Sequence, residues 1–313
     1  MLICLSVGLD GVRAGSLAGI AFCSEDLEVI PGSRAMVRYR LLLASSVVLV
    51  GWLAVALPRH PLQGADQAET KLEPGFHWIF HGNDLTGWHK NPERIGHGTG
   101  GSWVVEDGAI TGEQDPPGSG NGGILLSDKT YGDFEVIFEA NPDWGPCSGF
   151  FMRSTETGKC YQMMVDYHDK GNVGEIYREG LDGASNRTFN LDGVYADVEK
   201  QMLKGIKATQ AVPAKESDKV GTPLFKLEDW SKIWKLPGWN TVRCKVVGNP
   251  PTIETWINGT QITKYTSDKK FEDVLKDRGH IAFQVHGGKY GWPVGAKVRF
   301  RNVRVKELAA DGK

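Results

Sequence analysis

From about residue 74 to residue 308, apolar and polar positions alternate with a period of two. The runs are short and broken by Gly, Asn, Asp and Pro, which is the pattern of half-buried β-strands joined by tight turns. The clearest pair is 148–153 (SGFFMR) and 161–167 (YQMMVDY), separated by a turn-like Ser-Thr-Glu-Thr-Gly-Lys, and it predicts a β-hairpin. On its second strand Gln162, Met164, Asp166 and His168 share one face, while Tyr161, Met163, Val165 and Tyr167 share the other. The second set can pack into a core. The first, beside a strand ending in Arg153, is costly to bury without partners and suits the floor of a polar groove; a solvated sheet face is the plainer alternative.

The same patterning predicts a strand at 76–80, a turn ending at Trp88, and a hairpin of 103–106 with 109–111 around Asp107-Gly108. An irregular loop follows at 112–123, then strands at 123–127 and 133–140, the latter with Phe134, Val136 and Phe138 inward and Glu135, Ile137 and Glu139 outward. Segments 241–247, 252–257 and 261–265 read as a three-stranded meander turned at Gly248-Asn249-Pro250-Pro251 and Asn258-Gly259. A helix is predicted at 271–276, capped by Ser267 or Asp268 and stopped at Gly279. Strands at 281–286 and 296–306 close the set, with Ile281, Phe283 and Val285 inward and Gln284 and His286 on the opposite face. Residues 178–237 break the rhythm. They predict an insertion with short helices at 196–204 and 228–234, seated over one end of the sheets where it shapes a cleft. The fold class expected is all-β.

Upstream the pattern differs. Val37-Arg38-Tyr39-Arg40 is a basic cluster followed by a continuous apolar run at 41–57, the layout of a signal peptide cleaved near Gly64-Ala65 or of an uncleaved N-terminal anchor. Met36 precedes the basic cluster, so residues 1–35 read as an upstream start-site artefact, 36–65 as the leader, 66–73 as a linker, 74–308 as the domain and 309–313 as a tail. A periplasmic or secreted protein is the expectation, with membrane contact only through the leader.

A net charge of -2 and an absence of basic patches argue against nucleic acid as a partner. Three Cys remain beyond the leader, Cys147, Cys160 and Cys244; the hairpin register would set Arg153 near Cys160, so Cys147 and Cys160 cannot pair across it; one disulfide among the three stays open, and buried free thiols are the expectation. No glycine-rich phosphate loop and no Gly-x-Ser-x-Gly elbow occurs, which leaves phosphoryl transfer, hydride transfer and serine hydrolysis without support. What remains is strand-borne Arg153, Gln162, Asp166, His168, Gln284 and His286 among ten Trp. Such a set suits a small carbohydrate, whose ring faces stack on indoles and whose hydroxyls need paired polar partners. Trp88, Trp144 and Trp292, beside Gly, Pro and Asn, are the groove candidates; Trp103, Trp239 and Trp256, within strands, are assigned to the core.

Eight stretches in order, among them Ile79-Phe80-His81-Gly82-Asn83-Asp84-Leu85-Thr86-Gly87-Trp88, Trp103-Val104-Val105-Glu106-Asp107-Gly108, Ser148-Gly149-Phe150-Phe151-Met152-Arg153, Trp256-Ile257-Asn258-Gly259 and Gly279-His280-Ile281-Ala282-Phe283-Gln284-Val285-His286-Gly287, resemble the 3-keto-disaccharide hydrolase domain family over 76–308. The resemblance implies a concanavalin-like jelly-roll sandwich related to laminarinase-type glucanases. It also implies cleavage of 3-keto-glycosides, in which the ketone acidifies the C2 proton and its removal expels the C1 substituent. One departure stands out: where the family usually has Tyr-Glu, this chain has Tyr161-Gln162. The chain also lacks the Glu-x-Asp-x-x-Glu strand of retaining glucanases. The expected site is His168 as base, His286 or Asp166 as its acid or orienting partner, and Arg153 with Gln162 on the substrate or enolate oxygen, with Gln284 and the three Trp as further substrate contacts. A divalent metal ion on Asp166, His168 and His286 is an alternative use of the same residues. A non-catalytic carbohydrate-binding module is the alternative function.

Overall fold

The computed structural model describes residues 72–199, 202–212, 220–289 and 291–309; the expectations for the leader and for most of the tail lie outside these residues. Among the described residues sixteen strands run in the order β1 (His77–Phe80), β2 (Trp88–Lys90), β3 (Ser102–Glu106), β4 (Ala109–Glu113), β5 (Gly123–Tyr131), β6 (Phe134–Ala140), β7 (Gly149–Ser154), β8 (Cys160–Asp166), β9 (Asn172–Glu179), β10 (Phe189–Asp197), β11 (Met202–Gln210), β12 (Asn240–Val247), β13 (Thr252–Ile257), β14 (Thr260–Thr266), β15 (Gly279–Val285) and β16 (Val298–Glu307). One sheet has the order β14-β13-β12-β6-β16-β4-β3 with β1 added on β16, and the other β2-β5-β15-β7-β8-β9. Their pairings are antiparallel. The result is a jelly-roll sandwich of the concanavalin-like kind.

Alternation explains how the sheets close on each other. Phe138 of β6, Phe150 of β7, Phe283 of β15 and Phe300 of β16 are fully buried between them, with the Phe283 and Phe300 rings stacked at 4.0 Å and Phe138 against Phe150 at 4.8 Å. Burying one such ring stabilises by roughly 1.5–3 kcal/mol. Trp88 and Trp292 join this core, each anchoring its indole N–H on a carbonyl, of Ile79 and Ala296 respectively. Trp103 is also core, whereas Trp239 and Trp256 are half-buried beneath Arg301 and Arg243.

Two of the predicted helices are not helices. Of the segment 196–204, residues 196–197 end β10 and 202–204 begin β11 of a hairpin, while 200–201 lie outside the described residues; the pair forms because Phe189, Leu191, Ile206 and Ala208 alternate as a strand pair does and bury against Trp230 and Trp234 in a second apolar cluster. Residues 271–276 make a single turn, in which Val274 and Leu275 donate to the Phe271 carbonyl, and Gly279 opens β15 instead of closing a helix. The helix expected at 228–234 is present as a 3-10 turn, Leu227–Asp229, running into α1 (Trp230–Ile233). Cys147, Cys160 and Cys244 are free thiols.

The outer face of the six-stranded sheet divides along its strands. Ile124, Leu126, Phe151, Cys160 and Ala282 make an apolar patch with Ile95 packed on it. Further along, Gln162, Met164 and Asp166 of β8 take over that face and border a cavity.

Candidate active site

The hairpin of β7 and β8 pairs Phe151 with Gln162 and Gly149 with Met164, the register expected from the sequence. Gly149 makes room there: a Cβ at this position would press on the Gln162 side chain and force it to move. Just before β7 the chain runs against the end of β8, with Val165 N–H donating to the Ser148 carbonyl at 2.8 Å and Tyr167 N–H to that of Pro146 at 2.9 Å. This sets Cys147 beside Asp166, and its thiol donates to Asp166 Oδ1 at 3.0 Å. On the other side, β9 adds Tyr177 and Glu179, and the segment after it adds Ser185 and Arg187. His286, immediately after β15, completes a cavity of about 370 Å3.

His286 is held from behind. Gln114, fully buried, donates its amide to the carbonyls of His286 and Gly288, each at 2.9 Å. The ring of His286 donates from Nδ1 to the Gly287 carbonyl, which leaves Nε2 as its unprotonated nitrogen in the neutral form. Burial, and secondarily the neighbouring His97 at 4.7 Å between ring centres, push its pKa down, against the opposing pull of the Gly287 carbonyl, Asp166 and Glu179. Asp166 moves the opposite way: burial raises its carboxyl, although Cys147, His168, Arg187 and His286 each favour the charged form. Two titrating groups pushed toward their neutral forms thus line one cavity.

The floor is amidic. Gln162 donates to the Gln284 side-chain oxygen at 3.2 Å and to the Ser148 carbonyl at 3.3 Å. The Gln284 amide in turn reaches His97 Nε2 at 2.9 Å, and His97 lies 3.3 Å from Glu179 Oε1. Arg187 is the cation of the wall, its Nη2 3.9 Å from Asp166 Oδ2.

Of the residues singled out in the sequence, Gln162, Asp166 and His286 line this cavity and Gln284 supports its floor. His168 lies outside the cavity wall, half-buried, with Nδ1 donating to the Asp169 carbonyl at 2.8 Å. Arg153 is not at the groove. A positive φ of 53° turns it out of strand alternation, and its buried guanidinium binds Asp133 and the carbonyls of Gly132 and Gly248 at another edge of the sandwich. Trp88 and Trp292 are core residues, and Trp144 packs edge-on to Tyr167 and donates to the Tyr195 hydroxyl at 3.0 Å, so the three indoles lie elsewhere than in this wall. Donor atoms of Cys147, Asp166 and His168 lie within 4.8 Å of one another, a trio that suits a divalent ion with an affinity for sulfur; this replaces His286 with Cys147 in the set expected from the sequence.

Cys147, Tyr177, Glu179, Arg187 and His97 went unrecognised in the sequence. Tyr177 and Glu179 carry a signal in their i, i+2 spacing on the strand after the hairpin. His97 and Arg187 carry none, because they reach the site from loops.

The jelly roll thus carries a polar, acid-and-histidine cavity on the outer face of one sheet. Residues 75–306 match the family described as the 3-keto-alpha-glucoside-1,2-lyase-like domain, and the chain belongs to that family. No curated protein matches it at a significant level. Among solved structures, it is similar to a glycosyl hydrolase candidate from Parabacteroides distasonis (19% identity, 74% of this chain and 99% of the other, TM-score 0.42). It is also similar to the carbohydrate-binding module CBM66 of Bacillus subtilis (10% identity, 71% and 96%, TM-score 0.39) and to a β-glucanase of Bacillus licheniformis (13% identity, 77% and 95%, TM-score 0.36).

Proposed function

We propose that the domain cleaves 3-keto-glycosides by β-elimination, with His286 as the base. The observation that carries this reading is the neutral-leaning His286, with Nδ1 tied to a carbonyl and Nε2 unprotonated, in one cavity with Asp166 and Arg187. His286 Nε2 takes the proton from C2, and the C2–H electron pair moves into an enolate whose oxygen is the former C3 ketone. The Arg187 guanidinium stabilises that oxygen. The C1–O bond then breaks with its electrons on the leaving oxygen, which takes a proton from Asp166, whose burial keeps it protonated to higher pH than an ordinary carboxyl. The products are an enone sugar and a free alcohol; water adding to the enone gives net hydrolysis. Gln162 and Gln284 shape the floor, and Arg187 takes the role expected of Arg153. The basic cluster and apolar run at 37–57 support a site of action in the periplasm or outside the cell.

The test is release of methanol from methyl 3-keto-glucoside, with the unoxidised methyl glucoside alongside. Release from the keto sugar alone is expected. Release from both would reassign the cavity to direct hydrolysis by Asp166 and Glu179. Binding without release would favour the second reading, a carbohydrate-binding module, which is supported by Gln162 standing where the resembling family usually has Glu and being held by Ser148 and Gln284.

A further inference from the structure

Two side chains around Asp166, those of Cys147 and His168, have no part in the elimination. The main chain nevertheless presents both to its carboxylate. Cys147 is fixed by its own N–H, which donates to the Gly291 carbonyl at 2.9 Å, and by the Tyr167 N–H, which donates to the Pro146 carbonyl at 2.9 Å. His168 follows Asp166 in a tight turn closed by the Gly171 N–H on the His168 carbonyl at 2.8 Å. Only glycine fits the end of that turn, because a Cβ on Gly171 would run into the Asp166 carbonyl. Asp169 ties the turn to β10, its carboxylate accepting from the Gly193 N–H at 2.7 Å and from the Tyr195 hydroxyl at 2.6 Å. One sulfur, one carboxylate oxygen and one ring nitrogen are thereby held within 4.8 Å of one another, on three residues that each keep some exposure to solvent.

The donor set has the character of a zinc site. Thiolate and imidazole select thiophilic divalent ions over Mg²⁺ or Ca²⁺, and the carboxylate completes a three-ligand set with a position left open. His168 is arranged as metal-binding imidazoles are: Nδ1 donates to the Asp169 carbonyl at 2.8 Å, which fixes the tautomer and leaves the other ring nitrogen with its lone pair. Asp166 divides its two oxygens. Oδ1 accepts from the Cys147 thiol at 3.0 Å, whereas Oδ2 lies 3.9 Å from Arg187 Nη2. An ion beside Oδ1 thus takes the place of the thiol proton and leaves the Arg187 contact on the far side. Tetrahedral bonds of about 2.0–2.3 Å set ligand atoms about 3.3–3.8 Å apart, so side-chain movements of about an ångström close the trio on an ion.

Resting on the reading of Asp166 as the acid of the elimination, we propose that Cys147, Asp166 and His168 bind Zn²⁺ and that the bound ion stops turnover. Binding releases the thiol proton and the Asp166 proton to solvent. The cation is then held by one thiolate, one carboxylate and one neutral imidazole, which leaves the site without net charge. Asp166 has no proton left for the leaving oxygen.

The experiment takes full-length protein stripped with a chelator and titrates it with Co²⁺, whose thiolate complexes absorb in the near ultraviolet, and with Zn²⁺ during methanol release from methyl 3-keto-glucoside. A Co²⁺ band that Zn²⁺ displaces and that Cys147→Ser lacks is expected. Saturating Zn²⁺ is expected to lower kcat by about 10²-fold or more, the cost of losing a positioned acid, with recovery on chelation. Mg²⁺ is expected to do neither. His168→Ala touches no group of the elimination and is expected to keep the metal-free rate. It should need about tenfold or more Zn²⁺ for half-inhibition, since losing a ligand costs at least what losing a ligand's supporting hydrogen bond does. Thermal midpoints confirm that each variant is folded, and where one is not, the other decides. Absence of the band, or a band unchanged in Cys147→Ser and in His168→Ala, overturns the site. Zn²⁺ that binds there and leaves turnover unchanged, or raises it, overturns the switch. If metal-free protein cleaves no keto sugar, the elimination reading fails and the switch with it, while the ion site is still decided by the Co²⁺ band.

Discussion

Replacing His286 by Ala separates a catalytic imidazole from a structural one. Removing a positioned acid–base group slows turnover by about 10²–10⁴-fold, or roughly 3–5 kcal/mol of barrier at 1.36 kcal/mol per decade. The cost in stability is expected to stay within about 1 kcal/mol, since the ring contacts the Gly287 carbonyl, His97 and the cavity and takes no part in the Phe138–Phe150–Phe283–Phe300 core. The wild-type pH profile carries the same information. Burial holds His286 below its ordinary 6.5, so the base stays neutral into mildly acidic solution, and the acid limb of kcat/KM is expected below 6.5. The linkage sign agrees: a depressed histidine binds fewer protons folded than unfolded, so its contribution to stability is full above the unfolded value and is lost as pH falls through 6.5 toward the folded value. Initial rates of methanol release from methyl 3-keto-glucoside across the acid-to-neutral range measure both. A folded His286→Ala protein turning over within about threefold of wild type, too little for a lost acid–base group, would refute the assignment of the base.

Asp166→Asn should abolish most turnover yet raise the thermal midpoint at neutral pH, because burial raises the folded carboxyl's pKa and makes its ionised form costly. The gain should shrink as pH falls and the wild-type carboxyl protonates, which a series of melts against pH would show. Arg153→Ala should destabilise by about 3–5 kcal/mol by stranding Asp133 and two carbonyls, while leaving KM of the folded protein unchanged; a raised KM with normal stability would return Arg153 to the substrate. Phe283→Ala should cost about 3–5 kcal/mol in denaturant unfolding, and a loss under about 1 kcal/mol would mean the intersheet core is not as described.

Strand identity was legible wherever one face of a strand met the core. In β6, β8 and β15 the period of two sorted Phe134, Val136 and Phe138, Tyr161, Met163 and Val165, and Ile281, Phe283 and Val285 to the inside. That same sorting placed Gln162, Asp166 and Gln284 on the opposite face. It failed in the segment 196–204, whose helix-compatible composition hid that 196–197 end β10 and 202–204 begin β11, a strand pair packed against Trp230 and Trp234. It failed again at Arg153, where one residue with positive φ cancels the alternation. For the Trp residues, neighbouring Gly and Pro suggested exposure; Trp88 and Trp292 are instead buried members of the intersheet core.

By itself, then, the pattern along the chain determined the all-β class, the hairpin register and the set of polar side chains on one sheet face, because strand periodicity and turn chemistry are local and each strand reports its own inside and outside; the sandwich entered only as what the family resemblance implied. Only the tertiary structure decided which of those side chains meet. His97, Cys147 and Arg187 join Asp166 and His286 through loop backbone that Gln114, Gly287 and the Pro146–Tyr167 contact hold in place across long sequence separations. Such contacts depend on where loops close over a sheet, and no periodic signal in the sequence records that.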